Sequence, residues 1–569
     1  MKSSKSSIGI SLGFNSSAAA CNERGQIIRA ISEERLIREK NTKRIPVCAL
    51  QYIFQFLPDK DEPHTLVYSH YDELDKAYFT KYEPEFKYGD DFTPEQNLLQ
   101  YCRVMTNIDF RSVQRVDHHT AHAYSVFPYY KVPSNALIIT SDGYGDGISQ
   151  TTRSVEHMNV PFERYDTKDS LALVYQFVTG ALGLKMHQHE GKVTGLSARG
   201  NVKQAKMLLD SLYARFSKSM YRWEYKGSTF DELKTDIFSF CWDWLKLIPE
   251  DVKVSADNEK VTTLAMMVQY FVEQEMVRRL APLKQDKRDL FLAGGLFANV
   301  KLNSLIASYT SFRSVNVAPP MGDEGTAIGA ILSLSNYSCL KKGKFSNVFS
   351  GIDTSHYIKD SWLEKKFAKE THFTVFGNEK QLIKEMAKLL AGGCIVHYRA
   401  GISEFGPRAL CHSTTFYQPS DPEGTKYLNR TLGRSEYMPY APIILDKDVS
   451  KLFVRNKKLD KTNQYMTAIL KAHESTIVQN HYAGAIHVDG TARPQILYDK
   501  KAFAYRLLKE YTKLTGKLML INTSWNIHNN PTVATIDDSF RTWMESGYCG
   551  EALVHERTMF RKRYEKVDE

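Results

Sequence analysis

The chain lacks the features that mark secreted and membrane proteins. Its 569 residues include eight cysteines with no CxxC pair, so neither a disulfide framework nor a zinc knuckle is expected. No window approaches the ~20 apolar residues that a membrane helix needs. The opening MKSSKSSIGISLGFN contains no apolar stretch of signal-peptide length. We therefore expect a cytoplasmic protein that does not enter a membrane.

A strong excess of charge of either sign is also absent. The chain has 75 Lys and Arg against 65 Asp and Glu, a net charge of +10, which leaves anionic partners open without selecting one. A hydrophobic content of 42% is sufficient for a packed globular protein. Because the length exceeds that of one ordinary core, we expect two or more domains.

Two distant segments share a strand–turn–strand pattern. The first is the strand SSIGISLG continuing into NSSAAACNERGQIIRAISEER, a hairpin that turns at NERG, and the second is SNALIITSDGYGDGISQTT, with a Gly- and Asp-rich turn. Two later segments, LFLAGGLFANVKLN and VNVAPPMGDEGTAIGAILS, are typical of a strand, a glycine-bearing loop and a helix. Such turns bring backbone N–H groups close to an anion. The pattern predicts a duplicated α/β domain whose Gly and Asp residues meet in one cleft.

Three histidines lie within five positions of VDHHTAHAYSVF. On a helix, His118 and His122 share one face with Cβ atoms roughly 6 Å apart, which is close enough to hold one metal ion if carboxylates join them. We expect these imidazoles to line an exposed cleft. The alternative is a polar helix start whose histidines have no special role.

The C-terminal half carries arginines near strand ends. The polar segment after Leu340 predicts a boundary between domains 1–350 and 351–569. Beyond it, Arg399, Arg408, Arg434 and Arg493 occur with the apolar strand of LMLINTSWN. Guanidinium groups with hydroxyl and amide donors form a site for a small dianion. The alternative is that each arginine is simply solvated.

The ordered motifs carry a family resemblance. LGFNSSAAA, EERLIREK, HHTAH, SDGYGDG, HEGKVTGL, AGGLFANVKLN, PPMGDEGTAIGA, EFGPRAL, DGTARPQ and INTSWN together resemble the nodulation-factor and antibiotic O-carbamoyltransferases. The resemblance implies a duplicated actin-like ATPase domain, similar to the tRNA threonylcarbamoyl-transferring enzymes, followed by an α/β YrdC-like domain.

The resemblance also implies the functional residues. A divalent metal, with Fe(II) preferred and Mn or Mg as alternatives, would be bound by His118, His122, Asp142 and Asp323. The residues implied to bind ATP and carbamoyl phosphate are Gly143, Gly145, Lys192, Gly294, Gly295, Asn299, Arg408, Arg434, Arg493, Asn522 and Ser524. The catalytic candidates are Lys40, Arg493 and His119, the last as a general base or else as a structural histidine.

The implied reaction has two stages. Carbamoyl phosphate is cleaved in the C-terminal domain, and ATP then converts the carbamate into carbamoyl adenylate at the metal site, where an acceptor hydroxyl attacks it. Some positions depart from the family pattern: Asn15 and Ser16 replace a His-Asp pair, and Ser413, Leu432 and Met438 replace polar or basic residues. We expect Arg399, Lys40 or Arg38 to bind the phosphate in place of the missing basic residues.

The acceptor is indicated by one segment only. YARFSKSMYRWEYKG, which begins at Tyr213, interleaves cations with aromatic rings, as nucleic-acid contacts do, and the termini MKSSK and FRKRYEK are basic. We therefore favour 5-hydroxymethylcytosine in DNA, as for some phage-encoded relatives acting in the host cytoplasm. The alternatives are a buried aromatic face with a small-molecule or sugar acceptor, a regulatory ATP-binding protein, and threonylcarbamoyl transfer to tRNA. No oligomeric state is predicted.

Overall fold

The computed structural model describes residues 7–22, 26–58, 60–72, 74–246, 254–335, 340, 348–355, 371–420, 422–435, 437–478 and 481–562. The chain forms two compact units. Unit 1 comprises Met1–Val348 with Lys457–Thr462, and unit 2 comprises Phe349–Asn456 with Asn463–Glu569. The N-terminal MKSSK, the end of the basic tail and most of the polar segment after Leu340 lie outside the described residues.

Unit 1 contains two sheets of the same design. The strands of the first are β1 (Ser7–Ser11), β2 (Ser17–Cys21), β3 (Ile27–Ser32), β4 (His64–Ser69) and β5 (Phe110–Arg115). In the described residues their order is β3-β2-β1-β4-β5. The strands β1, β2 and β3 pair antiparallel, and β4 and β5 continue the sheet in parallel.

The second sheet repeats this arrangement. Its strands are β6 (Leu137–Gly145), β7 (Ile148–Ser154), β8 (Glu163–Asp166), β9 (Asp289–Ala293) and β10 (Ser314–Val317). They are ordered β8-β7-β6-β9-β10, with antiparallel pairs first and parallel pairs after. The predicted α/β class with a duplicated N-terminal unit is therefore confirmed.

Helices connect and cover these sheets. They are α1 (Glu34–Ile37), α2 (Val47–Phe54), α3 (Lys76–Tyr82), α4 (Pro94–Thr106), α5 (His118–Tyr124), α6 (Leu171–Ala181), α7 (Glu190–Leu196), α8 (Val202–Phe216), α9 (Phe230–Leu245), α10 (Glu259–Leu280), α11 (Val300–Tyr309) and α12 (Thr326–Ser333). None of the described helices is long and apolar enough to cross a membrane.

The packing of α12 on α5 places the two halves of the site together. A Cβ added at Gly329 would lie 1.7 Å from the carbonyl oxygen of Ala121, so only glycine permits this approach. Val67, Val116, Ala121 and Ala330 form the small buried core between these elements. The small residues of TAIGAILS therefore let the loop before α12 reach the histidine face of α5.

Unit 2 is built on a mixed sheet. In the described residues eight strands follow the order β12-β23-β22-β13-β15-β21-β16-β20. The strands of the unit are β11 (Phe349–Asp353), β12 (Thr371–Val375), β13 (Val396–Arg399), β14 (Ile402–Glu404), β15 (Ser413–Tyr417), β16 (Pro442–Leu445), β17 (Phe453–Val454), β18 (Leu470–Ala472), β19 (Thr491–Ala492), β20 (Gln495–Leu497), β21 (Met519–Ser524), β22 (Ala552–His555) and β23 (Thr558–Lys562).

Both faces of this sheet are covered. Successive residues of a strand point to opposite faces, and accordingly Val396 and Ile395 belong to different apolar clusters. Helices Glu379–Ala391 and Phe503–Thr515 pack on the first cluster, and Ile536–Glu545 packs on the second. The remaining helices are Pro422–Thr431, Val449–Leu452 and Glu474–Val478.

Candidate active site

Four side chains of unit 1 converge on one point. Potential ligand atoms of His118, His122, Asp142 and Asp323 all lie within 4.8 Å of one another. His122 Nε2 is 3.1 Å from Asp142 Oδ2 and 3.5 Å from Asp323 Oδ1, and His118 Nε2 is 3.6 Å from Asp323 Oδ1. The structure therefore brings together the four residues that the sequence predicts as metal ligands.

The two histidines are held at the start of α5. Asp117 caps the helix by accepting a hydrogen bond from the N–H of Thr120 at 2.7 Å. Asp146, from the SDGYGDG turn, accepts one from the N–H of His118 at 2.9 Å. Since carboxylates stabilise a helix N-terminus, these contacts fix the first turn and direct the i, i+4 pair to one face. Sequence reasoning did not single out Asp146, although the second Asp of that turn was a signal.

The cluster holds a positive charge between two carboxylates. Burial alone lowers the pKa of His122, but the hydrogen bonds to Asp142 and Asp323 outweigh it and raise that pKa to about 9. Burial raises the pKa of Asp142, but the hydrogen bond and charge of His122 hold it below its usual range. Burial and the charge of His122 lower the pKa of His118.

This donor set fits a divalent metal. Two imidazole nitrogens with carboxylate oxygens suit Fe(II), Mn(II) or a similar ion. The Nε2 atoms of His118 and His122 face each other at 3.1 Å, as two nitrogens aimed at a shared cation would. The expectation of exposed imidazoles is wrong, because His118 is 2% and His122 0% exposed.

The glycine N–H groups expected to face phosphate have partners inside the protein. Those of Gly143 and Gly295 donate to Asp142 at 2.6 and 2.8 Å, and that of Gly294 donates to the carbonyl of Met321 at 2.7 Å. Two of these turns therefore orient the carboxylate of Asp142. Gly145 instead leaves room for the imidazole of His118, because a Cβ at this position would lie 2.2 Å from the His118 ring.

Two of the predicted catalytic residues are engaged elsewhere. His119 is fully buried, with Nδ1 bonded to Thr140 Oγ1 at 2.8 Å and Nε2 to the carbonyl of Ile148 at 3.0 Å. Because both nitrogens are occupied, the role of general base does not fit, and the structural alternative does. Lys40 donates to the buried carboxylate of Glu34 at 3.0 Å, which places it in an ion pair of unit 1.

The predicted nucleotide contacts Asn299 and Lys192 differ in their surroundings. Asn299 caps α11 by accepting from the N–H of Leu302 at 3.1 Å and donates to Gln269 at 2.9 Å. Its amide is therefore committed to the protein, and nucleotide binding by this side chain does not fit. Lys192 lies half-buried in α7, and its contact with the nucleotide remains a prediction.

In unit 2, Arg408 and Arg434 lie close enough to Arg493 to act on its charge. Burial and the positive charges of Arg408 and Arg434 lower the pKa of Arg493 well below its ordinary value. Arg434 donates to Thr523 Oγ1 at 2.8 Å and lies over the Tyr440 ring at 4.7 Å. Like charges are held together at a cost unless an anion joins them, so this cluster has the electrostatics of a dianion site.

The arginine-bearing loop is organised by Glu404. Its Oε1 accepts hydrogen bonds from the N–H groups of Leu410, His412 and Ser413 at 2.6, 3.3 and 3.4 Å. Since a carboxylate binds several N–H groups more strongly than a neutral acceptor does, it fixes the segment that carries Arg408. Sequence reasoning quoted EFGPRAL but did not assign a role to its glutamate.

Other predicted phosphate contacts are structural. Arg399 is fully buried and donates to the carbonyls of Ala534, Ala400, Gly401 and Ile352, so the expected phosphate grip is wrong. Asn522 donates to Ala409 and Gln495 and accepts from Thr414, so both of its N–H groups are engaged inside the protein and none is left to donate to a phosphate. Ser524 ends β21, half-exposed.

The family departures also have distinct positions. Leu432 packs in the apolar cluster with Trp525 and therefore cannot bind a ligand. The hydroxyl of Ser413 is buried without a protein partner among the described residues. Met438 is half-buried. Arg38, one of the residues expected to bind the phosphate in place of the missing ones, is the C-terminal cap of α1 in unit 1.

Most aromatic rings of the segment from Tyr213 are buried, whereas Tyr221 is 85% exposed. Trp223 is 1% exposed and packs edge-on against Phe271 with ring centroids 5.1 Å apart. Lys226 donates to the carbonyl of Ala214 at 2.9 Å, near the C-terminal end of α8. The expectation that Trp223 stacks on a base is therefore wrong, and the alternative of a buried aromatic face is confirmed.

A group of residues beside the metal ligands was missed. Lys43 Nζ lies 3.4 Å from the centroid of the Phe14 ring, and Phe14 stacks on His187 with centroids 3.6 Å apart. Tyr71 lies 6.1 Å from Phe14 and 5.1 Å from Tyr144. The only sequence signal was a lysine three positions after Lys40 in EERLIREKNTK.

Two family models match most of the chain. The model described as carbamoyltransferase N-terminus matches residues 6–332, and that described as carbamoyltransferase C-terminus matches residues 387–562. Relatives include the nodulation protein NolNO of Sinorhizobium fredii, 26% identical over 95% of this chain and 79% of its own length. Another is 3'-hydroxymethylcephem-O-carbamoyltransferase of Amycolatopsis lactamdurans, 26% identical over 74% and 76% respectively.

Solved structures show weaker similarity. HypF of T. kodakarensis is 15% identical, with a TM-score of 0.28 over 59% of this chain and 48% of HypF. P. abyssi Sua5 complexed with L-threonine is 12% identical, with a TM-score of 0.23 over 31% of this chain and 47% of Sua5. These scores are too low to say anything about activity.

Proposed function

This chain belongs to the carbamoyltransferase family, and we propose that it transfers a carbamoyl group from carbamoyl phosphate to an acceptor hydroxyl in an ATP-dependent reaction. Carbamoyl phosphate and water give carbamate and phosphate. Carbamate and ATP then give carbamoyl adenylate and pyrophosphate. The acceptor oxygen finally attacks the carbamoyl carbon, and AMP leaves.

The convergence of His118, His122, Asp142 and Asp323 carries this proposal. A divalent metal bound there would act as a Lewis acid and offset phosphate charge. Asp142 is oriented by two backbone N–H groups, and Asp117 and Asp146 fix the first turn of α5, which carries the histidines. These contacts keep the ligand atoms in place. Preorganised ligands of this kind favour a charged transition state, because nothing has to reorient during the reaction.

We assign carbamoyl phosphate to the arginine cluster of unit 2. The charges of Arg408 and Arg434 disfavour the charged form of Arg493, and a bound dianion would offset this repulsion. Arg434 is pre-aligned by Thr523 and Tyr440. Arg493 would neutralise the leaving phosphate. This proposal makes unit 2 the site of carbamoyl phosphate cleavage and unit 1 the site of adenylate formation and transfer.

For the acceptor we favour a small molecule or sugar hydroxyl. The named relative from Amycolatopsis lactamdurans carbamoylates a hydroxymethyl group of a cephem, and Trp223, on which base stacking depended, is buried. Hydroxymethylcytosine in DNA stays a prediction that now depends on exposed cations and on Tyr221, which is 85% exposed. An acceptor panel should therefore contain glycerol, N-acetylglucosamine and DNA with 5-hydroxymethylcytosine.

Pyrophosphate release tests the proposal most directly. We expect release that requires both ATP and carbamoyl phosphate, a gain of one carbamoyl mass on a panel compound, and loss of both in His118→Ala and Asp323→Asn. Asp90→Asn is the matched control, since this carboxylate is exposed and pairs only with Lys76 among the described residues. ATP binding without pyrophosphate release would instead support a regulatory ATP-binding protein.

A further inference from the structure

The ammonium of Lys43 is held against an aromatic ring instead of a carboxylate. Nζ lies 3.4 Å from the Phe14 ring centroid and 5.8 Å from that of Tyr82, and His187 covers Phe14 at 3.6 Å. Within the described residues no carboxylate forms a hydrogen bond with this ammonium. An aromatic face attracts a cation more weakly than an ion pair binds it, so the amine is positioned without being neutralised.

Burial and the charges around Lys43 make its amine easier to deprotonate than that of an ordinary lysine. Burial and the positive charge of Lys81 lower its pKa, Asp323 acts in the opposite direction, and the pKa is about 8. His187, on the far face of Phe14, has its own pKa lowered by burial and by Lys43 to about 4, so it is neutral. The hydroxyl of Tyr78 binds the carbonyl of Lys43 at 2.6 Å and fixes the backbone.

The ring under Lys43 is connected by packing to the turn that carries the metal ligand Asp142. Phe14 lies 6.1 Å from Tyr71, and Tyr71 lies 5.1 Å from Tyr144 of that turn, measured between ring centroids. Asp323 is one of the four converging residues, and its charge acts on both Lys43 and His187; that of Asp142 also acts on His187. Lys43 is half-buried and therefore reachable by a ligand. His119, the base expected from the sequence, has no free ring nitrogen. The site otherwise lacks an assigned acceptor for the hydroxyl proton.

We propose that Lys43 is the general base of the transfer step. The inference rests on the proposed function. The neutral amine takes the proton of the acceptor hydroxyl while the acceptor oxygen bonds to the carbamoyl carbon of the adenylate. The bond between that carbon and the AMP phosphate oxygen breaks, and AMP leaves with the electron pair. Lys43 then returns its proton to solvent. A general base contributes typically ~10²–10⁴-fold to such a step.

The competing role for Lys43 is structural, since its contact with Phe14 joins the loop after α1 to the loop after β1. Lys43→Arg separates the two roles, because guanidinium keeps the cation–π contact but stays protonated. Lys43→Met removes both. The measurement uses enzyme first incubated with ATP and carbamoyl phosphate and then mixed with whichever hydroxyl compound of the panel the wild type modifies.

We expect transfer to that hydroxyl compound to fall by ~10²–10⁴-fold in both variants, with pyrophosphate release unchanged. Hydroxylamine attacks activated carbonyls without a base and should still be carbamoylated at the wild-type rate. In the wild type the rate should rise with pH through about 8, as the amine loses its proton. Lys81→Met, which removes a like charge, should move that rise to higher pH and keep the plateau.

Three results would overturn the assignment. Wild-type hydroxyl transfer in Lys43→Arg would make the residue structural, and equal loss with hydroxylamine would indicate a disrupted site. An unmoved pH profile in Lys81→Met would exclude Lys43 as the titrating group. Absence of pyrophosphate release in the wild type is a different result, because it contradicts the proposed function itself.

Discussion

Replacing Gly145 by alanine tests the metal site with a single methyl group. The added Cβ would lie 2.2 Å from Cδ2 and 2.6 Å from Cγ of the His118 ring. A Cβ essentially never approaches another atom within 3.0 Å, and ordinary contact begins near 3.4 Å. The ring and the turn must therefore separate by 3.0 − 2.2 = 0.8 Å at the least and by 3.4 − 2.2 = 1.2 Å for ordinary contact. Cδ2 is bonded to Nε2, the atom that faces His122 and Asp323, and the nitrogen therefore moves with it.

The size of the effect follows from that displacement. A metal–nitrogen bond is ~2.0–2.1 Å long, so a shift of this size removes His118 from the ligand set. Displacing the groups that orient a ligand typically costs ~10–100-fold in metal affinity, and we expect at least this loss. Overpacking should also lower the free energy of unfolding by ~1–3 kcal/mol.

Gly143→Ala is the matched control in the same turn. Its Cβ would meet Leu173 at 3.4 Å and Gln176 at 3.8 Å, which are ordinary contacts. Metal affinity should be measured by calorimetric titration of metal-free protein with Mn²⁺, alongside thermal unfolding. If Gly145→Ala binds Mn²⁺ as tightly as Gly143→Ala does, either His118 is not a ligand or the site accommodates the methyl group, and the reasoning fails.

Three further predictions concern unit 2 and the acceptor. Arg493→Met should raise the unfolding temperature of the unliganded protein by relieving charge repulsion, yet abolish its increase with inorganic phosphate; an unchanged phosphate response would contradict the dianion site. Trp223→Ala should cost ~3–5 kcal/mol of unfolding free energy, whereas Arg222→Ala, in an exposed ion pair, should cost under ~1 kcal/mol; a mild Trp223 variant with weakened DNA binding would restore the stacking hypothesis. Glu404→Gln should raise KM for carbamoyl phosphate several-fold by loosening three N–H contacts, and an unchanged KM would show that the loop does not depend on them.

Much of the fold was readable from local pattern. The strand, turn and helix of LFLAGGLFANVKLN appear as β9, the glycine turn and α11, because alternation, glycine and a capping Asn act over a few residues. Both predicted hairpins occur, as β2–β3 in the first sheet and β6–β7 in the second, although they are not equivalent pairs of the duplicated arrangement. The i, i+4 spacing of His118 and His122 placed both on one helical face, since that depends on helix geometry alone.

The roles of single polar side chains were decided by tertiary structure. Asn299 bonds to Gln269, thirty positions away, and Arg399 to the carbonyl of Ala534, 135 positions away, so neither is free for a ligand. The ring of Phe14 positions the amine of Lys43, and the charges of Lys81 and Asp323 act on its pKa. A sequence specifies which donors and charges exist, but hydrogen bonding and burial depend on which distant groups come within ~3–4 Å. That distance is set only when the sheets and helices pack.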